Sequence, residues 1–267
     1  MTSDDPPSRS AQGSGAPAAQ VRESVARADT PGALRSEVWL MLQTRHAQQV
    51  FMGRKASAEK PYIIGLTRFG AILSQLQVCV LADDPYADWW LLKVEEALHQ
   101  AAEEIKALRE RVEEQLRQTP GMEVKIAETL QAVRVPLQFR NPYAYSAARV
   151  LSDFDTLVRG VLTARHIGLM DRREAERCMT LGARALRRAM SAALGYKYEG
   201  VKREDIQEGN AKAQKARERM GDVPPEILDG RRRARHAPER RPIVKPPAGT
   251  AGLMRSGGLL DLPGRSQ

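Results

Sequence analysis

Five arginines, Arg173, Arg177, Arg184, Arg187 and Arg188, recur at spacings of three, four or seven residues. At about 100° of helical rotation per residue, with Arg173 as origin, the other four fall near roughly 40°, 20°, −40° and 60°. Cys178, Gly182, Ala185, Leu186, Ala189 and Ala193 fall between roughly 120° and 220° on the same wheel. A helix over this stretch carries an arginine ridge on one side and core residues on the other. Guanidinium forks bind phosphate oxygens, so the chemistry on offer is contact with a nucleic-acid backbone. A merely solvated face would more usually mix charge signs. A second set lies upstream, where Arg134, Gln138 and Arg140 alternate with Val133, Val135, Leu137 and Phe139. Alternation with period two is a strand with one apolar and one polar face. Arg to guanine and Gln to adenine are common major-groove pairings.

Residues for enzyme chemistry are not arranged to perform it. His46, His99, His166 and His236 are scattered singly, with no second ligand at metal-site spacing. Gly65 and Gly70 have the glycine spacing of a phosphate-binding loop, but Ala71 and Ile72 stand where Lys and Ser/Thr are required. Asp84 and Asp88 are read as helix-capping and first-turn carboxylates rather than metal ligands. Cys79 and Cys178 sit far apart in apolar helical contexts and read as reduced core thiols. No cofactor is implied, and the expectation is a protein that is not an enzyme. Trp39, Tyr86, Trp89 and Trp90 form the main aromatic group and are expected to pack on the core rather than stack on bases.

The elements that position these residues are mostly helical. "SEVWLMLQ" reads as a strand that is apolar on both faces and therefore buried. A short helix follows, and another spans 65–82 through Leu66, Phe69, Ile72, Leu73, Leu76 and Val80. "DDPYADWW" places an N-cap at Asp84 and a first-position proline at Pro85, opening a long helix to about Gln118. Leu91, Leu98, Ile105 and Val112 repeat every seven residues within it, flanked by Val94, Ala101 and Leu108. Its glutamates are read as a solvated face. Residues 122–140 look extended. Helices follow at 142–167 and 171–195, and a last one at 203–220. The fold class is mainly α with a small β-sheet or ribbon (α+β). Residues 34–221 form a single domain, with 131–195 as a candidate strand–helix–helix unit for DNA. Strand 131–140 either enters an intermolecular ribbon or pairs with strand 36–44 in the same chain. Residues 1–33 and the basic, Pro/Gly-rich stretch 222–267 are expected to be disordered tails.

The chain has 267 residues and a formal charge of +9, with an isoelectric point near 9.8. The basicity is local. Residues 86–118 hold five Lys/Arg against eight Asp/Glu, whereas 165–197 hold eight against three. That sign pattern sets phosphate against the second helix rather than the first. Neither a leader sequence nor an apolar run of membrane-spanning length is read, so no membrane partner is expected and the protein is placed in the cytoplasm.

The stretches "LRSEVWLMLQTRHAQ", "IIGLTRFG", "ADDPYADWWLLKVEEAL", "VPLQFRNPYAY", "LVRGVLTARHIGL", "ALGYKYEGVKRED" and "ARERMG" resemble a family of bacterial integrating conjugative element proteins similar to the plasmid transcriptional regulator AcaB. The resemblance covers roughly residues 33–237. It implies a regulator of conjugation genes, with a ribbon-helix-helix-like homodimer on double-stranded DNA. Arg134, Gln138 and Arg140 would then point outward and Val133, Val135, Leu137 and Phe139 inward. The alternative is an adaptor or structural protein of the conjugation or element-maintenance machinery, contacting other conjugation proteins.

Overall fold

The computed structural model describes residues 37–239. The chain divides into units 1–37 and 38–267, and the elements described all lie in the second. The tail expectations for residues 1–33 and 240–267 lie outside the described residues. Strand β1 (Val38–Leu42) leads through a tight turn into α1 (Arg45–Met52) and then α2 (Leu66–Leu81). Helix α3 (Pro85–Arg117) is the longest. After it come β2 (Val133–Leu137), α4 (Pro142–His166) and α5 (Arg172–Ala192), then the short helices α6 (Arg203–Glu208), α7 (Ala211–Met220) and α8 (Pro225–Leu228). The architecture is mainly α with one small sheet, as the periodicity predicts.

Local chemistry explains where these helices start. The Asp84 carboxylate accepts from the N–H groups of Tyr86 and Ala87, and Pro85 fills the first helical position. Asn141 and Pro142 repeat the device for α4. Asp171 accepts from the Glu174 N–H at the start of α5. The expected single helix at 203–220 breaks in two. Gly209 takes a left-handed conformation with φ 65°, which ends α6, and Asn210 caps α7.

The core is built where α3 packs along α4 and α5. Leu91, Val94, Leu98, Ala101, Ile105 and Val112 are all buried, so the seven-residue repeat marks the seam. Gly182 lets α5 approach α4 closely. A Cβ at that position would come within 2.9 Å of the Phe154 ring, which is itself buried. Tyr86 and Trp90 are buried and Trp89 partly so, with the Lys93 ammonium 3.4 Å from one indole centroid and 3.8 Å from the other.

The sheet is antiparallel and intramolecular, with Trp39 opposite Pro136, Leu40 opposite Val135 and Met41 opposite Arg134. Of the two pairings open at the level of sequence, the chain uses the one within itself. Pro136 has no N–H to donate, and a two-stranded sheet tolerates it because each strand is an edge. Strand β1 is not buried on both faces. Leu40 and Leu42 are buried, but Trp39 and Met41 are 40% and 48% exposed. The sheet has a helical layer on one side only, so alternate residues must face out. Asp155 of α4 fixes this sheet in place. Its buried carboxylate accepts from the Gln43 N–H at 2.7 Å, the Thr44 N–H at 2.9 Å and the Thr44 hydroxyl at 2.6 Å.

The segment from 222 is not wholly a free tail. Residues 222–239 pack onto α3 because their arginines meet buried or acidic partners. Asp88, fully buried, accepts from Arg203 Nη2 at 2.5 Å and from Arg233 Nη2 at 2.9 Å. Arg203 also reaches the Asp83 carboxylate at 2.7 Å and the carbonyl oxygens of Ile227 and Leu228. Asp88 is thus an ion-pair centre, beyond its position in the first turn of α3. The glutamates of α3 are not simply solvated either. Glu96 takes Arg232 at 2.5 Å, and Glu95 accepts from Tyr143 Oη and the Arg235 N–H.

Two substitutions test these anchors. Asp88→Asn leaves two guanidiniums without their buried counter-charge and should cost about 3–5 kcal/mol. It should also hasten tryptic cleavage within 231–235, because the strap opens. Asp155→Asn replaces an acceptor oxygen by a donor and should cost about 1–3 kcal/mol. Urea midpoints at unchanged m-value would measure both, and midpoints equal to wild type would refute the anchoring roles.

Candidate nucleic-acid interface

The outward face of the sheet is set by register alone. Residues directly opposite in an antiparallel pair share a face, so Trp39, Met41, Arg134 and Pro136 lie together. The Arg134 guanidinium sits 4.1 Å from the Trp39 ring centroid, which stacks the cation on the indole and limits its rotamers. Gln138 and Arg140 are also exposed, beyond the end of β2. They line a cleft of about 550 Å³ shared with α2, whose lining includes Phe51, Thr67 and Ser74. Phe139 between them is half-buried against Gly70, where a Cβ would come within 2.6 Å of its ring.

The inward set is less complete than alternation predicts. Leu137 is buried, Val135 and Phe139 are intermediate, and Val133 is 42% exposed. Val133 lies opposite the buried Leu42 at the first position of β2. Upstream, residues 122–132 form neither helix nor strand and bend at 130–131, where an extended run is expected. They are tied to α4 by the Thr163 hydroxyl, which accepts from the Ala127 N–H, and by Arg159, which donates to the Ala127 carbonyl.

Helix α5 presents its core face as the wheel predicts, with Cys178, Gly182, Ala185, Leu186 and Ala189 buried. The arginine ridge does not behave as one set. Arg173, Arg177 and Arg184 are exposed and have no carboxylate partner among the described residues. Arg188 is also exposed, yet its Nη2 donates to both carboxylate oxygens of Glu104, at 2.6 and 2.7 Å. Arg187 is half-buried and turned toward α1. Leu181, 46% exposed, stands between Arg177 and Arg184. The ridge therefore keeps three uncompensated guanidiniums on one face. Seven-residue and three- or four-residue spacing found the face, but which arginines meet an acid depends on how α3 lies alongside.

Trp39 and Met41 escaped the sequence reading as surface residues. Trp39 lies opposite Pro136 and Met41 opposite Arg134, and only this register brings the Arg134 guanidinium diagonally over the Trp39 ring. The arginines at 231–233 have been drawn into pairs with Asp229, Glu96, Glu226 and Asp88.

The perturbed titratable groups elsewhere are structural. Burial pushes Asp84 and Cys79 up, and Tyr196 donates to Asp84 at 2.7 Å. A thiol so placed stays protonated and is a poor nucleophile. Among the described residues no group of three or more His, Cys, Asp or Glu could hold a metal ion. No helix among them is long and apolar enough to cross a membrane.

Comparison with known proteins bears on the whole body. No curated protein matches the sequence. The crystal structure of selenomethionine-containing AcaB from uropathogenic E. coli is similar with a TM-score of 0.53 at 12% identity, over 73% of this chain and 95% of that one. At that identity the likeness is one of fold. The sequence model of the family described as "Transcriptional regulator AcaB" matches residues 30–241, most of the chain. By that match the chain belongs to the AcaB family of transcriptional regulators.

Proposed function

We propose that this protein is a DNA-binding regulator of conjugative transfer genes in an integrating conjugative element, reading its operator with the outward face of the β1–β2 sheet. The observation that carries the reading is Arg134, exposed on a two-stranded ribbon and held over Trp39 at 4.1 Å. A two-stranded ribbon fits the major groove, where an arginine fork recognises guanine O6 and N7. Gln138 and Arg140 extend the same edge, and Trp39 and Met41 offer apolar surface to a thymine methyl. Arg173, Arg177 and Arg184 supply backbone attraction that is independent of sequence. The order β2, α4, α5 is that of a ribbon-helix-helix unit, and a homodimer would place two such faces on related half-sites. The site of action is the cytoplasm, where the element's DNA is transcribed.

Gel shifts on the element's own promoter regions test this. Arg134→Ala should weaken specific binding by about 1–3 kcal/mol, while random duplex is little affected. Gln138→Ala should change sequence preference more than bulk affinity. Equal losses on specific and random duplex would sink the reading roles of both. Arg173→Glu combined with Arg177→Glu should weaken all duplexes alike and flatten the salt dependence. Unchanged affinity would remove the ridge from the interface. Absence of binding at low salt, with partners recovered independently of DNA, would favour the adaptor reading.

A further inference from the structure

A second feature, on the reading that the protein binds DNA, concerns the cleft between α1 and α5. It has a volume of about 320 Å³. Phe154 of α4 lines it, with His46 and Gln49 of α1 and Thr180 and Arg187 of α5. His46 and Gln49 are one helical turn apart, so both face the same side. The Arg187 Nε is shielded from solvent and makes no hydrogen bond among the described residues. Arg54, just past the end of α1, is close enough for its charge to push the Arg187 pKa down, adding to the larger effect of burial. Arg54 is itself held by two bonds from its Nε and Nη2 to the Pro61 carbonyl, at 3.3 and 3.2 Å. Glu176 also lines the cleft, but its carboxylate is engaged by Arg172 at 2.8 Å.

Arg187 thus enters the cleft with its Nε unpartnered, and the carboxylate that lines the cleft, Glu176, is already taken by Arg172. Buried donors are nearly always satisfied, so an acceptor for the Arg187 Nε is expected from outside the chain. His46, Gln49 and Thr180 add further polar groups to the lining. Position supplies the rest. Helix α1 begins three residues after β1 ends, so the cleft flanks the strand that carries Met41 opposite Arg134. Helix α5 also carries the exposed Arg184 about one turn before Arg187.

We infer that the cleft between α1 and α5 is a phosphate pocket, filled by a backbone phosphate of the bound duplex and held by Arg187. Arg187 thereby acts as a half-buried clamp rather than as one more residue of the exposed ridge. The chemistry alone is shared with free inorganic phosphate or a small phosphorylated metabolite, so the test separates the sources.

Full-length protein is melted in inorganic phosphate and in sodium chloride of equal ionic strength and pH. Affinity for specific and random duplex is measured in parallel as a function of salt. The wild-type chain should gain a few degrees in phosphate over chloride. Arg187→Met should lose that gain, and its plot of log K against log salt should be shallower by about one on both duplexes. Arg54→Gln, an exposed position, should act in the same direction and decides the matter should Arg187→Met fail to fold by circular dichroism. A phosphate-specific gain with an unchanged salt slope would overturn the duplex as the source and assign the pocket to a free phosphate. No phosphate-specific gain and no change in slope would overturn the pocket itself. If the wild-type chain bound no DNA at low salt, the functional reading would fail, and the melts alone would still decide whether the cleft takes phosphate.

Discussion

The buried carboxylate of Asp155 is the constraint on which the functional half of the molecule rests. Three donors from two successive residues, Gln43 and Thr44, converge on it. A carboxylate in a low-dielectric site is costly unless its oxygens are satisfied, and once satisfied it holds its donors firmly. These donors form the corner between β1 and α1. Fixing the corner fixes the direction of both elements. Strand β1 is then laid on α4, and β2 pairs with it in the register that puts Arg134 beside Trp39. Helix α1 is directed against α5, where it forms one wall of the Arg187 cleft. One side chain in the middle of α4 thereby sets the geometry of the sheet face and of the cleft.

The distribution of charge follows from a second packing decision. Helix α3 is acidic and lies beside the basic α5 and the C-terminal strap. Acids on α3 take Arg188, Arg232, Arg233 and, with Asp83, Arg203. The exposed pairs among these contribute little to stability, about 0–1 kcal/mol each. The buried pairs at Asp88 matter more for specificity of docking than for net energy. What the pairing does decide is electrostatic bookkeeping at the surface. Arginines that meet α3 are neutralised, whereas Arg173, Arg177 and Arg184 on α5 and Arg134 on the sheet keep exposed charge.

The sheet face is chemically mixed in a way that suits duplex recognition. An isolated exposed arginine must lose rotamer freedom when it docks, and stacking on Trp39 removes part of that freedom beforehand. Apolar neighbours at Trp39, Met41 and Pro136 form a surface that gains by leaving water.

Much of the fold was legible in the sequence because its signals are local. Asp84–Pro85, Asn141–Pro142 and Asp171 mark helix starts through hydrogen bonds made within three residues. The seven-residue repeat of α3 and the wheel of α5 identify buried faces because side-chain direction follows backbone period. The basic face at Arg173, Arg177 and Arg184 was legible for the same reason. What stayed hidden depends on contacts between distant segments. Asp88 meets Arg203 and Arg233 across 115 and 145 residues, so nothing near any of them announces that the strap beyond 222 is held. Arg187 and Arg188 are adjacent in sequence, yet one enters a cleft and the other meets Glu104. The doubly apolar pattern of "VWLML" argued for burial on both sides. Period two determined that its residues alternate between two faces; only the packing of a single helical layer decided that one face, with Trp39 and Met41, would be left to water.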